Sequence, residues 1–175
     1  MMALSYGQGV ALLRIGFGLY IFSGALSKVT GGWLESPKQL LDNFINPALQ
    51  RGTAEPYYRP FLENVVVPNA ALFAQLVVIG ELLVGISLVL GLLTRVGALG
   101  GMFLPLNYML MKGLLSNGGS IDRLYFLASL VFFATAAGLV WGLDGKLRSV
   151  FEGNAFTRWV AGLSGRAPRE AAAGS

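Results

Sequence analysis

Apolar residues gather in four long blocks along this chain, and the polar positions fall between the blocks instead of alternating within them. The blocks predict membrane-spanning helices over about 9–29, 70–93, 96–115 and 124–143, since a helix needs about 20 mostly apolar residues to cross the hydrocarbon layer. The expected fold class is therefore an all-α membrane protein, a four-transmembrane-helix bundle forming a single domain over 1–164. No positively charged segment precedes the first block, so it is expected to be a retained span and not a cleaved signal peptide.

The 30–69 connection is too long for a simple turn and carries helix signals of its own. SPKQ, Ser36 to Gln39, reads as a capping box with proline at the first helical position. Leu40, Leu41, Phe44 and Ile45 then share a face, and Pro47 is expected to end or kink that helix. EPYYRPFLENVVVP repeats the amphipathic pattern, so the connection is expected to lie at the membrane interface or cap the bundle. Beyond the fourth block, Leu147, Phe151, Ala155 and Trp159 recur every fourth residue and predict an interfacial helix over 146–164. A disordered tail is expected over 165–175.

Small residues at helical spacing mark close helix packing: Gly97 and Gly101 in the third block, and Ala134, Gly138 and Gly142 in the fourth. Pro105 is expected to kink the third helix just ahead of Asn107 and Tyr108.

Composition narrows the chemistry. With 54% hydrophobic and 13% charged residues and a mean hydropathy of +0.62, the chain lies outside the range of soluble domains. Cysteine and histidine are both absent, which excludes thiolate catalysis, His-ligated haem and zinc or iron sites built from those residues. The nine acids are scattered without ligand spacing, so no metal site is expected. The net charge of +4 comes from basic residues at span ends and in the tail, which suits lipid headgroups and not nucleic acid. These basic residues divide evenly between the two sides of the bundle. The basic tail beyond the fourth span is the ground for expecting cytoplasmic termini, and the membrane is expected to be a bacterial-type inner one.

Within VVIGELLVGISLVLGLLTR, Glu81 falls near mid-membrane, where an unpaired acid costs about 2.5 to 3.5 kcal/mol on insertion scales. Arg14 is the lone charge well inside the first span, so an Arg14–Glu81 ion pair between the first two helices is expected. The alternative has Arg14 snorkelling to the headgroups while Glu81 stays protonated. A polar spot at this depth would suit a quinone carbonyl, a small anion or a proton, with Tyr20, Lys28, Asn107 and Tyr108 as candidate lining. No residue is assigned a catalytic role.

Three segments, LLRIGFGLYIFSGALSK, GELLVGISLVLGLLTRVGALGG and GLDGKL, resemble the DoxX family of small membrane proteins. The resemblance implies a four-helix membrane fold tied to membrane redox systems, the family name coming from a subunit of a thiosulfate:quinone oxidoreductase. Arg14, Lys28, Glu81, Arg95 and Asp144 match its charged pattern, whereas the long 30–69 connection and the basic tail exceed a minimal member. The function expected is an accessory subunit of a larger quinone-linked redox complex, without catalytic chemistry of its own. Its partners would be the lipid bilayer and other membrane subunits. The alternatives are a quinone-binding subunit of a thiosulfate:quinone-type oxidoreductase, with quinone as the cofactor, and a small-solute carrier.

Overall fold

A computed structural model of the chain describes residues 3–153, 155–160 and 162–163; they are helical, with no strand among the described residues. Helix α1 (Tyr6–Thr30) begins where Ser5 and Gln8 cap each other reciprocally. The Ser5 hydroxyl accepts the Gln8 N–H at 3.3 Å, and the Gln8 side chain accepts the Ser5 N–H at 2.9 Å, satisfying donors the helix leaves open. The box expected at SPKQ does not form. Ser36 instead accepts the Lys38 N–H at 3.3 Å, and Gln39 donates to the Gly31 carbonyl at 3.1 Å.

The connection folds in two similar halves. Helix α2 (Lys38–Leu40) widens into a π-helical turn (Leu41–Ile45) and continues as α3 (Asn46–Arg51). Helix α4 (Arg59–Phe61) widens into a second π-helical turn (Leu62–Val66). The two turns share a pattern, Leu41-Asp42-Asn43-Phe44-Ile45-Asn46-Pro47 against Leu62-Glu63-Asn64-Val65-Val66-Val67-Pro68. A proline lacks an N–H and its ring crowds the carbonyl four residues back; a widened turn just before it takes up that misfit. Pro47 therefore does not end its helix, which runs on to Arg51. Trp33, Leu40, Ile45, Leu62 and Val66 are buried against Ala74, Val78 and Met111, so the connection is a cap docked on the bundle.

The bundle contains α5 (Ala70–Leu90), α6 (Thr94–Lys112) and α7 (Ser120–Thr135) beside α1. Helix α1 packs along α5, α5 against α6, and α6 along α7. Val84, Leu88, Ala98 and Phe132 form the buried centre. Two helices, α1 and α5, are long and apolar enough to cross a membrane. Helix α6 runs unbroken through Pro105.

Glycines set the spacing. A Cβ at Gly18 would come within 2.8 Å of the Val89 nitrogen, and one at Gly85 within 2.9 Å of the Phe22 backbone, so α1 and α5 touch backbone to backbone. Gly97 faces Ser87 of α5, and Gly101 faces Ser129 of α7.

The second predicted seam is different. Helix α7 stops at Thr135, Ala136 takes a left-handed φ of 48°, and a 3-10 turn follows at Ala137–Leu139. Ala134 is exposed, while Gly138 and Gly142 are buried beyond the helix end. The three therefore share no helical face. The last part is broken into α8 (Leu143–Lys146), α9 (Arg148–Phe151) and α10 (Ala155–Val160), where one interfacial helix over 146–164 was expected. Gly153 lies between the last two pieces, and glycine weakens a helix interior. The predicted tail, 165–175, lies outside the described residues.

Candidate functional site

At the end of the bundle under the cap, four helices bring charged groups inward. Lys28, in the last turn of α1, forms an ion pair with Glu81 of α5, donating to both carboxylate oxygens. Lys112, in the last turn of α6, donates to the Asp122 carboxylate of α7 at 2.8 Å. Both lysines lie near helix C-termini, where the backbone dipole favours a cation. Between the pairs stands Tyr108. The Lys112 ammonium is 5.1 Å from the centre of its ring and the Lys28 ammonium 5.8 Å, each within cation–π range.

These groups border a cavity of about 330 Å³, whose lining also includes Tyr20, Gly24, Phe44, Gly101, Pro105 and Tyr125. The Tyr108 hydroxyl is buried and has no hydrogen-bond partner among the described residues. A second, larger hollow of about 760 Å³ runs on the other side of Val84, Leu104 and Tyr108, walled by apolar side chains of the cap, α5 and α6.

The expected Arg14–Glu81 pair is not formed. Its failure is one of register: the contacts at Gly18 with Leu88 and at Gly85 with Phe22, continued along antiparallel helices, set Arg14 opposite about residue 92, past the end of α5. Lys28 lies within a turn of Glu81 in the same register. Arg14 is instead wholly buried at the opposite end of the bundle, where Nη2 donates to the Trp141 carbonyl at 3.1 Å.

That opposite end is organised by Asp144. Its carboxylate accepts the Leu93 N–H at 2.7 Å and the Thr94 N–H at 2.9 Å, so an acid some fifty positions away caps the start of α6. Its own N–H returns to the Gly91 carbonyl at 2.8 Å. A Cβ at Gly138 would collide with Thr94 and Asp144, and one at Gly142 with the Gly138 carbonyl. The three non-glycine residues with positive φ, Leu93, Ala136 and Trp141, all belong to this knot. Arg95 donates to the Trp159 carbonyl at 3.1 Å, with its guanidinium over the Phe133 and Trp159 rings.

Most of the first helix and all of the acid-bearing second helix with its Gly-Leu-Leu-Thr-Arg turn lie inside a match to the DoxX family model that covers residues 9–111; Lys112, Asp122 and Asp144 lie beyond it. The chain belongs to the DoxX family. No curated protein and no solved structure matches it. Family membership and the two apolar helices together mark a small integral membrane protein.

Of the residues singled out from sequence, Tyr20, Lys28, Glu81 and Tyr108 border the chamber of this DoxX-family chain. Asn107 does not. Its amide oxygen accepts the Tyr58 hydroxyl at 2.7 Å and its nitrogen donates to the Phe103 carbonyl at 2.7 Å. It pins the cap to α6. Burial pushes the Tyr58 phenol up to about 12, so it remains a neutral donor at ordinary pH. Lys112, Asp122 and Tyr125 were missed because they looked like charges and aromatics at span ends. The available signal was two opposite charges flanking the Asn117-Gly118-Gly119 turn of one helical hairpin.

Proposed function

We propose that this protein crosses the membrane four times and binds a quinone head in the chamber beneath its cap, as a subunit of a larger redox assembly whose electron carriers sit on partner subunits. Four crossings are supported by α6 and α7, whose exposed faces are as apolar as those of α1 and α5: Val96, Leu99 and Phe103 on one, Leu124, Leu127 and Leu130 on the other. Their 19 and 16 residues reach about 28 and 24 Å, close to the hydrocarbon thickness.

The observation that carries the ligand reading is the partnerless Tyr108 hydroxyl, buried between two lysine–carboxylate pairs. An unmade hydrogen bond at a buried group costs about 1 to 3 kcal/mol, and a carbonyl oxygen on a bound ligand would remove that cost. Two cations and two anions leave the cluster without net charge, so it suits a neutral acceptor better than an anion. Aromatic walls from Tyr20, Phe44 and Tyr125 suit a flat ring. The cavity volume lies in the range of small-molecule sites.

A bound quinone would supply acceptance of two electrons and two protons. The chain's own residues would bind and orient its head and shield it from water. Carrying electrons falls to other subunits, because the sequence has no cysteine or histidine to hold a metal or haem.

Tryptophan fluorescence tests this. Trp33 is buried beside Lys28, 5.3 Å from its ammonium, and quinones quench indole emission. In a Trp141→Phe, Trp159→Phe background, a decyl-tailed benzoquinone should quench Trp33 saturably and be displaced by excess unreactive quinone analogue. Quenching that rises linearly with quinone, as simple partitioning into lipid would give, overturns the reading. Gentle detergent extraction should also recover a cofactor-bearing partner, whereas a lone protein that moves a solute into liposomes would make it a carrier.

A further inference from the structure

We infer that the ligand head enters the chamber sideways from the bilayer, through a portal between α1 and α7 walled by Tyr20 and Tyr125. This inference rests on the ligand reading above and adds a route and a class: an amphiphile dissolved in the membrane, not a solute arriving from water.

Close glycine contacts hold the other helix seams together. Along α1 and α5 the backbones touch at Gly18 and Gly85; α5 and α6 interlock at Gly97 and Gly100; α6 and α7 meet at Gly101 against Ser129. The far end is shut by the cap, where the Trp33 and Phe44 rings lie 5.7 Å apart. No glycine contact joins α1 to α7. They meet through ring edges, Phe17 with Tyr125 at 5.4 Å and Tyr20 with Tyr125 at 5.6 Å.

Such contacts open by rotating two side chains about χ1, which exposed rings do on a fast timescale, whereas the backbone contacts on the other seams cannot part without separating helices. Tyr20 is already 56% exposed. Beside it Gly24 is exposed, borders the chamber, and would place a Cβ in open space. The threshold of this seam therefore lacks the close glycine contacts that hold the other helix pairs.

A Cβ at Gly24 meets nothing within 4 Å, so Gly24→Phe places its ring at this opening from an unobstructed Cβ, and thermal unfolding should match that of the parent protein. Gly16→Phe is the control: its Cβ also meets nothing within 4 Å, and it borders neither hollow. Stopped-flow quenching of Trp33 by decyl-tailed benzoquinone delivered in phosphatidylcholine vesicles reads both directions. In Gly24→Phe, entry and release should both slow by about tenfold, as expected of a narrowed path, whereas a damaged site would speed release. Gly16→Phe should match the parent protein. Unchanged rates in Gly24→Phe overturn the portal and leave the quinone site standing. Slowing in Gly80→Phe instead, on the apolar hollow, also overturns it by moving entry to the opposite side. Absence of saturable quenching in the parent protein sinks the quinone reading and the portal with it.

Discussion

The two ends of the bundle both bury charge, and they do so in opposite ways. Around Asp144 everything is filled: Arg14 and Asp144 are 0% and 1% exposed, glycines admit the side chains, and three residues accept left-handed backbone to close the knot. Around Tyr108 the charges are paired across helices, yet they border empty space, and the lysine side chains stay 21% and 27% exposed. Strain accepted to eliminate space belongs to structure. Partnerless buried atoms occur at both ends, Arg14 Nε and Nη1 and Thr94 Oγ1 in the knot as well as the Tyr108 hydroxyl, so the open space beside Tyr108 is what supports the proposed ligand. The charged residues divide along the same line, Arg14 and Asp144 to the knot, Lys28 and Glu81 to the chamber.

The largest effect that would break this contrast lies in the knot. Asp144→Ala strips the acceptor from two N–H groups at the start of α6 and removes the acid whose field acts on buried Arg14. Removing one member of a buried charged network costs roughly 3 to 5 kcal/mol. Thermal unfolding in detergent should show that loss, and quinone affinity measured below the lowered Tm should be unchanged. An Asp144→Ala protein as stable as the parent would mean the knot does not hold the bundle together.

The next effect is smaller and concerns which charges belong together. Lys28→Met with Glu81→Gln, measured singly and doubly, should give a coupling of about 1 to 3 kcal/mol, because the two groups touch. Arg14→Met with Glu81→Gln should add within about 0.5 kcal/mol, because register separates them. A coupled Arg14–Glu81 cycle would restore the pairing expected from sequence and dissolve the distinction between the two ends.

That exchange of partners marks where the sequence stops being informative. The all-helical class and the two long apolar helices are readable, because apolar length acts locally. The polar residues to be buried are readable too, since a charge in an apolar run has to be accounted for. Register is not. It was set by Gly18 and Gly85, which look like any other glycines in a glycine-rich chain until their backbone contacts are known. The end of α7 was misjudged for a related reason: Val140 to Leu143 are apolar enough to extend a span, and only the knot with Asp144 and Gly91 pulls them out of the helix. The cap was legible as two amphipathic halves, but its π-helical turns depend on how each proline's misfit is relieved, which periodicity does not report.

The smallest effect on stability is the one that discriminates best. Tyr108→Phe removes a hydroxyl with no partner among the described residues and keeps the ring that both lysines approach. Loss of a partnered buried hydroxyl would destabilise the fold; loss of a partnerless one is neutral or slightly favourable, because its desolvation is no longer incurred. Thermal unfolding should therefore shift little, and upward if at all. Quinone affinity, read by Trp33 quenching, should nevertheless fall by about tenfold, the worth of one hydrogen bond near 1.4 kcal/mol. A destabilised variant with intact affinity would assign the hydroxyl to the framework and make the chamber a second knot that happens to be loosely packed. A stable variant with weakened binding keeps the two ends distinct, because no change in the Asp144 cluster is expected to alter quinone affinity.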